Sequence, residues 1–249
     1  MSAAPRALVI AGPGTNRDHA AVRALTLAGA EADTVTSTAL LASPELLASA
    51  QIAVIAGGFS HADALGAGRM LALELTRGAD GRLADALHRF VDGGGAVLGI
   101  CNGFQVLVRS GLLPGALGHN TSGRFQCEWV SLEVGDSHCV WTDGLGGVGG
   151  VAPIIDCPIA HGEGRYVHPD PDGLAAAGQV ALRYASANPN GSVAEIAGVC
   201  DATGRVLGLM PHPEDHVLAE QHPLHHRGTA TVGGLGLELF RAGVAAVGS

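Results

Sequence analysis

The sequence contains no lysine, and all fourteen of its basic residues are arginine. Without lysine the chain cannot use a Schiff-base mechanism, and it cannot form the lysine-containing phosphate loop of many nucleotide-hydrolysing enzymes. The formal net charge is −9, and the arginines form no cluster that could follow a phosphate backbone. We therefore expect neither a nucleic-acid partner nor an ATP site on this chain.

Cysteines and long apolar runs are also scarce. The five cysteines are dispersed, odd in number and without a C-x-x-C pair, which favours reduced thiols over a disulfide framework or a structural zinc site. No apolar run approaches the roughly eighteen residues that span a bilayer. The short apolar segment near the N-terminus ends at Gly12-Pro13-Gly14, too early for a signal peptide. These features predict a soluble, cytoplasmic protein without a membrane partner.

The composition favours a tightly packed core. Hydrophobic residues make up 47% of the chain, aromatic residues only 4%, and glycine contributes 38 residues. No internal repeat and no long linker divides the 249 residues. A chain of this length predicts one domain that spans residues 1–249.

Almost wholly apolar segments alternate with helical ones in the first half of the chain. The predicted strands are 7–11, 32–36, 52–56 and 96–100, and the predicted helices are 18–28, 82–91, 104–109 and one that Ser43 caps with Pro44 in its first turn. Strands that are apolar throughout are typical of a sheet covered by helices on both faces. The pattern predicts an α/β fold with a flavodoxin-like, doubly wound, mostly parallel sheet.

Beyond Gly111 the segments become shorter and more β-like. They cover residues 125–134, 153–167, 180–185, 193–199 and 206–210, with a turn-rich spacer at 144–150 and a final helix at 235–247. We expect the strands of this half to pair antiparallel and to extend the parallel sheet.

The stretch Gly99-Ile100-Cys101-Asn102-Gly103 lies between a predicted buried strand and a predicted helix. Gly-x-nucleophile-x-Gly is the spacing of a nucleophile elbow, a tight and strained turn that presents its nucleophile at a helix N-terminus. That position favours the thiolate form of a cysteine. A buried structural cysteine between two turn glycines is the alternative.

A second apolar run stops at Met210-Pro211-His212-Pro213-Glu214. A cysteine nucleophile needs a base to take its proton, and the base needs a carboxylate to hold its tautomer. His212 and Glu214 are two residues apart, so an extended backbone would present both side chains on one face. Together with Cys101 they form a candidate catalytic triad.

Backbone amides that could bind an oxyanion are predicted at the same edge of the sheet, where ligands of such folds bind. Gly57 and Gly58 follow the strand 52–56, and the amide of Asn102 directly follows the nucleophile. An ordinary strand-to-loop turn is the alternative for the glycine pair. A cysteine, a histidine base and an oxyanion hole together indicate acyl transfer through a thioester, without naming the acyl group.

Seven segments resemble one enzyme family in sequence and in order. They are Pro13-Gly-Thr-Asn-Arg-Asp18, Gly57-Gly-Phe-Ser60, Leu98-Gly-Ile-Cys-Asn-Gly-Phe-Gln105, Leu112-Leu-Pro-Gly115, His161-Gly-Glu-Gly164, Asn188-Pro-Asn-Gly-Ser192 and Met210-Pro-His-Pro-Glu214. Together they resemble the glutamine amidotransferase subunit of phosphoribosylformylglycinamidine synthase, a class I (triad) amidotransferase of purine biosynthesis. The resemblance runs from about Leu8 to Phe240 and implies the class I glutamine amidotransferase fold.

The resemblance also implies a role for each matching residue. Cys101 would be the nucleophile, His212 the base and Glu214 its orienting carboxylate. The backbone amides of Gly58 and Asn102 would bind the oxyanion.

The resemblance further implies a substrate and partners. Gln105 would line the pocket for L-glutamine, and residues 161–163 would close it. The family hydrolyses glutamine to glutamate and passes ammonia to a large ATP-dependent synthetase subunit, often with a small accessory subunit, to make formylglycinamidine ribonucleotide. No cofactor is expected on this chain, and ATP and magnesium are expected on the synthetase.

Three positions depart from the usual pattern of that family. Ser60-His61-Ala62-Asp63 replaces Ser-Tyr-Gly-Asp, the arginine common shortly afterwards is missing from 65–68, and Asp215-His216 follows the final glutamate where a basic residue or a small segment is common. None of these changes touches the triad, but they bear on partner docking and on the acceptor. An amidotransferase with another acceptor, a free-standing cysteine-elbow hydrolase or chaperone, and a non-catalytic scaffold are the alternative functions.

Five histidines between residues 212 and 226 raise the question of a metal site. His212 and His216 have the i,i+4 spacing of a metal-binding helix. However, Pro213 and Pro223 interrupt any helix through the group, and the H-E-x-x-H motif is missing. We expect a solvated loop and no metal site.

Overall fold

The structure, a computed structural model, describes residues 3–145, 153–227 and 234–248. The described strands are β1 (Arg6–Ala11), β2 (Glu31–Thr36), β3 (Ile52–Ile55), β4 (Ala96–Ile100), β5 (Ala116–Gly118), β6 (Gln126–Val134), β7 (Ile154–His161), β8 (Arg165–Val167), β9 (Val180–Tyr184), β10 (Ile196–Cys200) and β11 (Val206–Leu209). The described α-helices are α1 (Asp18–Leu27), α2 (Ser37–Ala42), α3 (Arg69–Arg77), α4 (Arg82–Asp92), α5 (Asn102–Arg109), α6 (Pro171–Ala176) and α7 (Leu237–Val247). None of the described helices is long and apolar enough to cross a bilayer.

Nine of the described strands form one sheet in the order β2-β1-β3-β4-β11-β10-β9-β6-β7. The five strands from β2 to β11 run parallel to their neighbours, and each pairing from β11 onward is antiparallel. Strands β5 and β8 form a separate antiparallel pair. The prediction of an α/β fold whose parallel sheet is extended by antiparallel strands of the C-terminal half is confirmed.

The central strands are buried because helices cover the sheet. Every residue of β3 and β4 is buried, and both α5 and α7 pack on these two strands. The apolar side chains that fill the core are mostly Ala, Val, Leu and Ile, and the rings of Phe104 on α5 and Phe240 on α7 are also fully buried. The core therefore lies directly behind the turn that follows β4.

The prediction of a helix that Ser43 caps needs correction. The side chain of Ser43 makes no capping hydrogen bond. Thr36, the last residue of β2, instead accepts a 3.1 Å hydrogen bond from the Ala39 nitrogen and starts α2 without an intervening loop. The proline of the predicted helix begins a 3-10 turn, Pro44–Ser49, that follows α2. The predicted helix therefore starts too late.

Other boundaries also differ from the sequence prediction. The strand predicted at 193–199 begins only at Ile196, because Ala194 and Glu195 have φ of 48° and 55°, which a strand cannot contain. The segment predicted as strand at 153–167 is split between β7 and β8 by a turn at 162–164. Helices α3 and α6 lie where no element is predicted, and the predicted spacer at 144–150 lies mostly outside the described residues.

Three neighbouring parallel strands bring the candidate residues to one edge of the sheet. Strand β3 ends shortly before Gly57, β4 ends directly before Cys101, and β11 ends shortly before His212. The carboxyl ends of the three strands are level, since Ile55 pairs with Gly99 and the next residue of β4, Ile100, pairs with Leu209 of β11.

Strand β7 crosses these carboxyl ends although it is last in the sheet order. The Pro158 carbonyl accepts a 2.8 Å hydrogen bond from the His212 nitrogen, and the Ala160 carbonyl oxygen lies 3.8 Å from Cys101 Sγ. The turn after β7, which begins at His161, is thereby placed over the candidate nucleophile.

Candidate active site

Cys101 lies at the sharp turn between β4 and α5. Its backbone angles, φ 50° and ψ −102°, are rare for a residue with a side chain and store strain that is typical of functional sites. The flanking glycines are required by space: a Cβ on Gly99 would lie 2.7 Å from the Gly103 oxygen, and one on Gly103 only 2.0 Å from the Ile55 oxygen. The turn therefore has the backbone geometry of a nucleophile elbow.

His212 lies next to this turn because its strand neighbours β4. The Cys101 nitrogen donates a 2.8 Å hydrogen bond to the Leu209 carbonyl, which joins the two strand ends. His212 Nδ1 lies 2.7 Å from Glu214 Oε1, and both side chains are buried. An ionised carboxylate can only accept, so Nδ1 carries a proton and Nε2 remains for the thiol. The structure brings together the three residues that the sequence predicts as a triad.

The surroundings of His212 favour its protonated form. Burial opposes a charge on the imidazole, but the negative charges of Glu214 and of the Cys101 thiolate, with hydrogen bonds to both, raise the pKa of His212 well above its usual range. An imidazolium beside a thiolate is the resting state of an activated cysteine.

Gly57 and Gly58 follow β3 and are held in place by two side chains. A Cβ on Gly57 would lie 2.9 Å from His212 Cε1, and one on Gly58 would lie only 1.9 Å from Asn16 Oδ1. Gly58 also has φ 92°, a conformation that favours glycine. Gly58 and Asn102, the first residue of α5, line the same cavity as the Cys101 side chain. The structure thus brings both residues to the cavity of the candidate nucleophile, and the oxyanion hole formed by their backbone amides stays a prediction.

The buried side chain of Asn102 has contacts that the sequence did not indicate. Its Oδ1 accepts hydrogen bonds from the Ser60 nitrogen at 3.2 Å and from the Ser60 hydroxyl at 2.5 Å. Its Nδ2 donates to Asp63 Oδ1 at 2.9 Å and to Gln105 Oε1 at 3.0 Å. Burial raises the pKa of Asp63, and the hydrogen bond from Asn102 opposes that shift. Asn102 thus connects the nucleophile turn to the loop 59–63, in which four residues have left-handed backbone angles.

Gln105 is a buried residue that reaches the far wall of the cavity. Its Nε2 donates a 2.6 Å hydrogen bond to the Glu163 carbonyl, and its Oε1 accepts from Asn102. The Glu163 carboxylate lies 3.3 Å from Arg109 Nη2. The residue predicted to line a glutamine pocket therefore also holds the turn 161–164 in place.

Asn120 holds the same turn from the other side. Its Oδ1 accepts from the Gly164 nitrogen and from His161 Nδ1, each at 3.1 Å, and its Nδ2 donates to the His161 and Arg124 carbonyls. Burial and the nearby positive charge of His212 lower the pKa of His161 to about 4. His161 is therefore neutral at physiological pH.

The cavity beside Cys101 has a volume of about 270 Å³. Its charged lining residues are Arg17, Asp63 and Glu163, and its exposed apolar ones are Phe59 and Phe125. A cavity of mixed charge next to a nucleophile suits a small zwitterionic substrate.

The histidine-rich segment is not the solvated loop that the sequence predicts. His216 and His222 are buried, and both rings pack edge-on against Trp129. His216 Nδ1 lies 2.6 Å from the Asp156 carbonyl oxygen. Of the five histidines of this segment, His225 and His226 are exposed.

One group of potential metal ligands occurs within residues 3–145, 153–227 and 234–248. It consists of His212, Glu214 and Asp215, whose ligand atoms lie within 4.8 Å of one another. The cation in contact with this group is an arginine, since Arg17 Nη1 lies 3.1 Å from Asp215 Oδ1. The expectation of no metal site stays a prediction.

Sequence reasoning missed several residues of the site. Asn16, Asp63 and Asn120 are polar residues of irregular loops, where no periodicity or spacing marks a contact. For Asn16 and Asp63 the one available signal was their place in segments that resemble a known family. Asn120 carries no such signal.

Comparison with known proteins gives a consistent result along the whole chain. The profile of the CobB/CobQ-like glutamine amidotransferase domain matches residues 4–246. The chain is 42% identical to the phosphoribosylformylglycinamidine synthase subunit PurQ of Treponema denticola, over 96% of this chain and 98% of the relative. It is 39% identical to the PurQ subunit of Dehalococcoides mccartyi, over 94% of both chains.

Solved structures agree with this result. A chain in the structure of PurLQS from Thermotoga maritima superposes with a TM-score of 0.77 at 35% identity, covering 96% of this chain and 97% of the other. A glutamine amidotransferase from the same organism superposes with a TM-score of 0.50 at 16% identity, over 87% of this chain and 78% of the other, which shows a shared fold alone.

Proposed function

The chain belongs to the CobB/CobQ-like glutamine amidotransferases, among the PurQ subunits of phosphoribosylformylglycinamidine synthase, and we propose that it hydrolyses L-glutamine at Cys101 to supply ammonia to a synthetase. The family resemblance read from the motifs is confirmed. One observation carries the assignment of the site: adjacent parallel strands bring Cys101 beside His212, whose Nδ1 lies 2.7 Å from Glu214. Charge, burial and order of these groups match a cysteine nucleophile, its base and the orienting carboxylate.

In the first half of the proposed reaction, the Cys101 thiolate attacks the side-chain amide carbon of glutamine. The amides of Gly58 and Asn102 hydrogen-bond the oxygen on which negative charge develops. His212, protonated at rest, gives its Nε2 proton to the amide nitrogen. The carbon–nitrogen bond breaks, ammonia leaves, and a glutamyl thioester remains on Cys101.

In the second half, neutral His212 takes a proton from a water molecule that attacks the thioester. The carbon–sulfur bond breaks, glutamate leaves, and the thiolate–imidazolium pair is restored. Glu214 does not exchange a proton in either half, because its role is to hold the Nδ1–H tautomer and to stabilise the imidazolium.

The cavity also supports glutamine as the substrate. Asp63 and Glu163 line it and offer carboxylates to the α-ammonium group of an amino acid. Gln105 and Asn120 hold the turn 161–164 over the same space. We therefore assign this turn the role of closing the glutamine pocket.

The remaining half of the reaction needs another polypeptide. Amidation of a formyl amide requires activation by ATP, and this chain has no lysine and no phosphate loop. The names of its relatives indicate a subunit of phosphoribosylformylglycinamidine synthase in purine biosynthesis, and one similar structure is an assembly called PurLQS. We therefore place ATP and magnesium on a large synthetase subunit, and the third component would be a small accessory subunit.

The proposal includes one amidotransferase domain over residues 1–249 and a cytoplasmic setting. All five cysteines are free thiols, as expected for a protein of a reducing compartment.

The test is glutamine hydrolysis by the isolated chain, then with the synthetase subunit of the same organism, and then with ATP and formylglycinamide ribonucleotide added. We expect a rise of roughly 5- to 150-fold on assembly with bound substrates, the range of a 1–3 kcal/mol coupling. The Cys101→Ser variant is the control, because a hydroxyl is a far weaker nucleophile than a thiolate. Full activity of the isolated chain, or no binding of the synthetase, would instead support a free-standing hydrolase.

A further inference from the structure

A second carboxylate lies beside the triad. Asp215 follows Glu214 directly, and its carboxylate is within 4.8 Å of the nearest ligand atoms of both Glu214 and His212. Its side chain is 22% exposed, so its charge is only partly screened by water. The mechanism proposed above does not use this group.

The charge of Asp215 is balanced by a residue far away in the sequence. Arg17 Nη1 lies 3.1 Å from Asp215 Oδ1, and the two residues are 198 positions apart. Arg17 also lines the glutamine cavity, and its guanidinium is 42% exposed. This ion pair therefore joins a partly exposed arginine to a half-buried carboxylate beside the catalytic base.

The loop that carries Arg17 also supports the oxyanion glycine. Its neighbour Asn16 packs against Gly58, and the Pro13 carbonyl accepts a 2.5 Å hydrogen bond from the His61 nitrogen. The loop 13–17 is thus fixed against the loop 59–63, and Arg17 approaches Asp215 from a rigid position.

We propose that Asp215 acts as a second carboxylate that stabilises the His212 imidazolium, and that Arg17 sets how much of that charge His212 experiences. This inference rests on the proposed roles of Cys101 and His212. Asp215 and Arg17 are positioning residues, because they act through His212 and not on the reacting atoms.

Several other groups face His212 or its carboxylate. Glu214 and the Cys101 thiolate raise the pKa of His212 against the effect of burial. His161 is neutral, and the thiol of Cys157, near Glu214 and Asp215, has a pKa raised well above its usual value, chiefly by burial. Neither of these two groups carries charge at neutral pH, so they do not compete with Asp215.

The signs of the effects follow from this arrangement. Removing the negative charge of Asp215 destabilises the imidazolium and lowers the pKa of His212. Removing Arg17 leaves the charge of Asp215 uncompensated and raises the pKa of His212. In the double variant both charges of the ion pair are lost, so their opposite effects on the pKa of His212 largely cancel.

The test is the pH dependence of Cys101 alkylation by iodoacetamide, resolved by peptide mass spectrometry, in the full chain. The thiolate–imidazolium pair titrates in two steps, and the upper step reports the proton of His212. We expect Asp215→Asn to move the upper step down by about 0.5 to 1 pH unit, and Arg17→Gln to move it up by a similar amount. Shifts of this size allow for solvent screening of a charge that lies about 5 Å away. The double variant, which loses both charges, should have its upper step close to that of wild type.

Matched controls separate this effect from general changes of charge. Arg23→Gln, on an exposed face of α1, and Asp33→Asn, on the exposed edge strand β2, make the same chemical changes away from the site and should leave both steps unchanged. Shifts of the upper step in the same direction for Arg17→Gln and Asp215→Asn, or no shift in either, overturn the inference.

A His212→Gln variant distinguishes failure of the inference from failure of the proposed function. It should abolish the upper step, and if it leaves the alkylation profile unchanged, the pairing of His212 with Cys101 is itself wrong.

Discussion

The α-carbon of Gly57 lies directly against the imidazole of His212, so that a methyl group on it would be 2.9 Å from His212 Cε1 and 3.2 Å from the Ile100 oxygen. The residues that follow β3 thereby fix the position of a base in the segment that follows β11. Both contacts lie next to the nucleophile turn. Even a small displacement of the His212 ring would therefore change the distance between the ring and Cys101.

Gly57→Ala is therefore expected to lower kcat roughly 10- to 100-fold, because a misplacement of about 1 Å at a reacting group has effects of this size. The folded structure should persist, since the imidazole can move. Gly118→Ala is the control, because a Cβ there meets only Arg165 Nη2 at 3.9 Å. Steady-state glutaminase kinetics with the synthetase present measure both. Unchanged kcat in Gly57→Ala would show that the ring position is not critical.

His212→Ala should reduce turnover more than Glu214→Ala. The base transfers protons in both halves of the reaction, which is worth roughly a hundredfold or more, whereas the carboxylate only orients and stabilises it. Glu214→Gln keeps the size of the side chain and should fall between wild type and Glu214→Ala. The measurement is kcat of each variant in complex with its synthetase. Activity like that of wild type in His212→Ala would rule out this residue as the base.

Asn120→Ala should weaken glutamine binding more than it slows chemistry. The variant leaves the Gly164 nitrogen and the His161 carbonyl without their partner, so the turn 161–164 is no longer held over the cavity. We expect KM for glutamine to rise roughly tenfold, while kcat changes by less than about threefold. The expected rise in KM corresponds to the loss of one or two buried hydrogen bonds. Thr26→Ala, on an exposed face of α1 outside the cavity lining, is the control. A drop confined to kcat would place Asn120 in the chemical step instead.

The buried His161 makes folding stability depend on pH. Its pKa is about 4 in the folded protein against 6.5 as the ordinary value, so the unfolded chain takes up this proton first as pH falls. The free energy of unfolding therefore declines as the pH falls from about 6.5 to about 4, and it levels off below pH 4. His161 accounts for a loss of about 2 to 3 kcal/mol by pH 4.5.

Denaturant unfolding of His161→Gln at pH 7 and pH 4.5 measures this contribution. The loss of unfolding free energy between the two pH values should be smaller in the variant than in wild type, whatever its absolute stability. The exposed His88→Gln serves as the control and should behave like wild type. An equal loss in His161→Gln would show that this histidine is protonated as easily in the folded state as in the unfolded one.

Much of the candidate site was predictable because its main residues end buried apolar strands. Cys101 and His212 each follow such a run, and small residues or prolines mark the sharp turn beside each of them. The pairing of β4 with β11, which lies more than a hundred residues later in the chain, could not be predicted from local sequence patterns. The family resemblance had already indicated that the residues after these two strands belong to one site.

The supporting residues were not predictable in the same way. The contacts of Asn102, Asn120 and Arg17 join irregular loops that are distant in sequence, and their geometry depends on how the whole sheet folds. The same cause explains the error at Ser43, where local capping signals favoured the wrong residue over Thr36. It also explains the burial of His216 under Trp129, which a proline-interrupted polar segment does not suggest.

The most direct measurement of the central claim is covalent labelling by a glutamine analogue that carries an electrophilic diazoketone in place of the side-chain amide. Peptide mass spectrometry then locates the label among the five thiols. We expect label on Cys101 alone, protection of Cys101 by L-glutamine, and no label in the Cys101→Ser variant. Equal labelling of the exposed Cys127, or label on Cys101 that glutamine does not suppress, would contradict it.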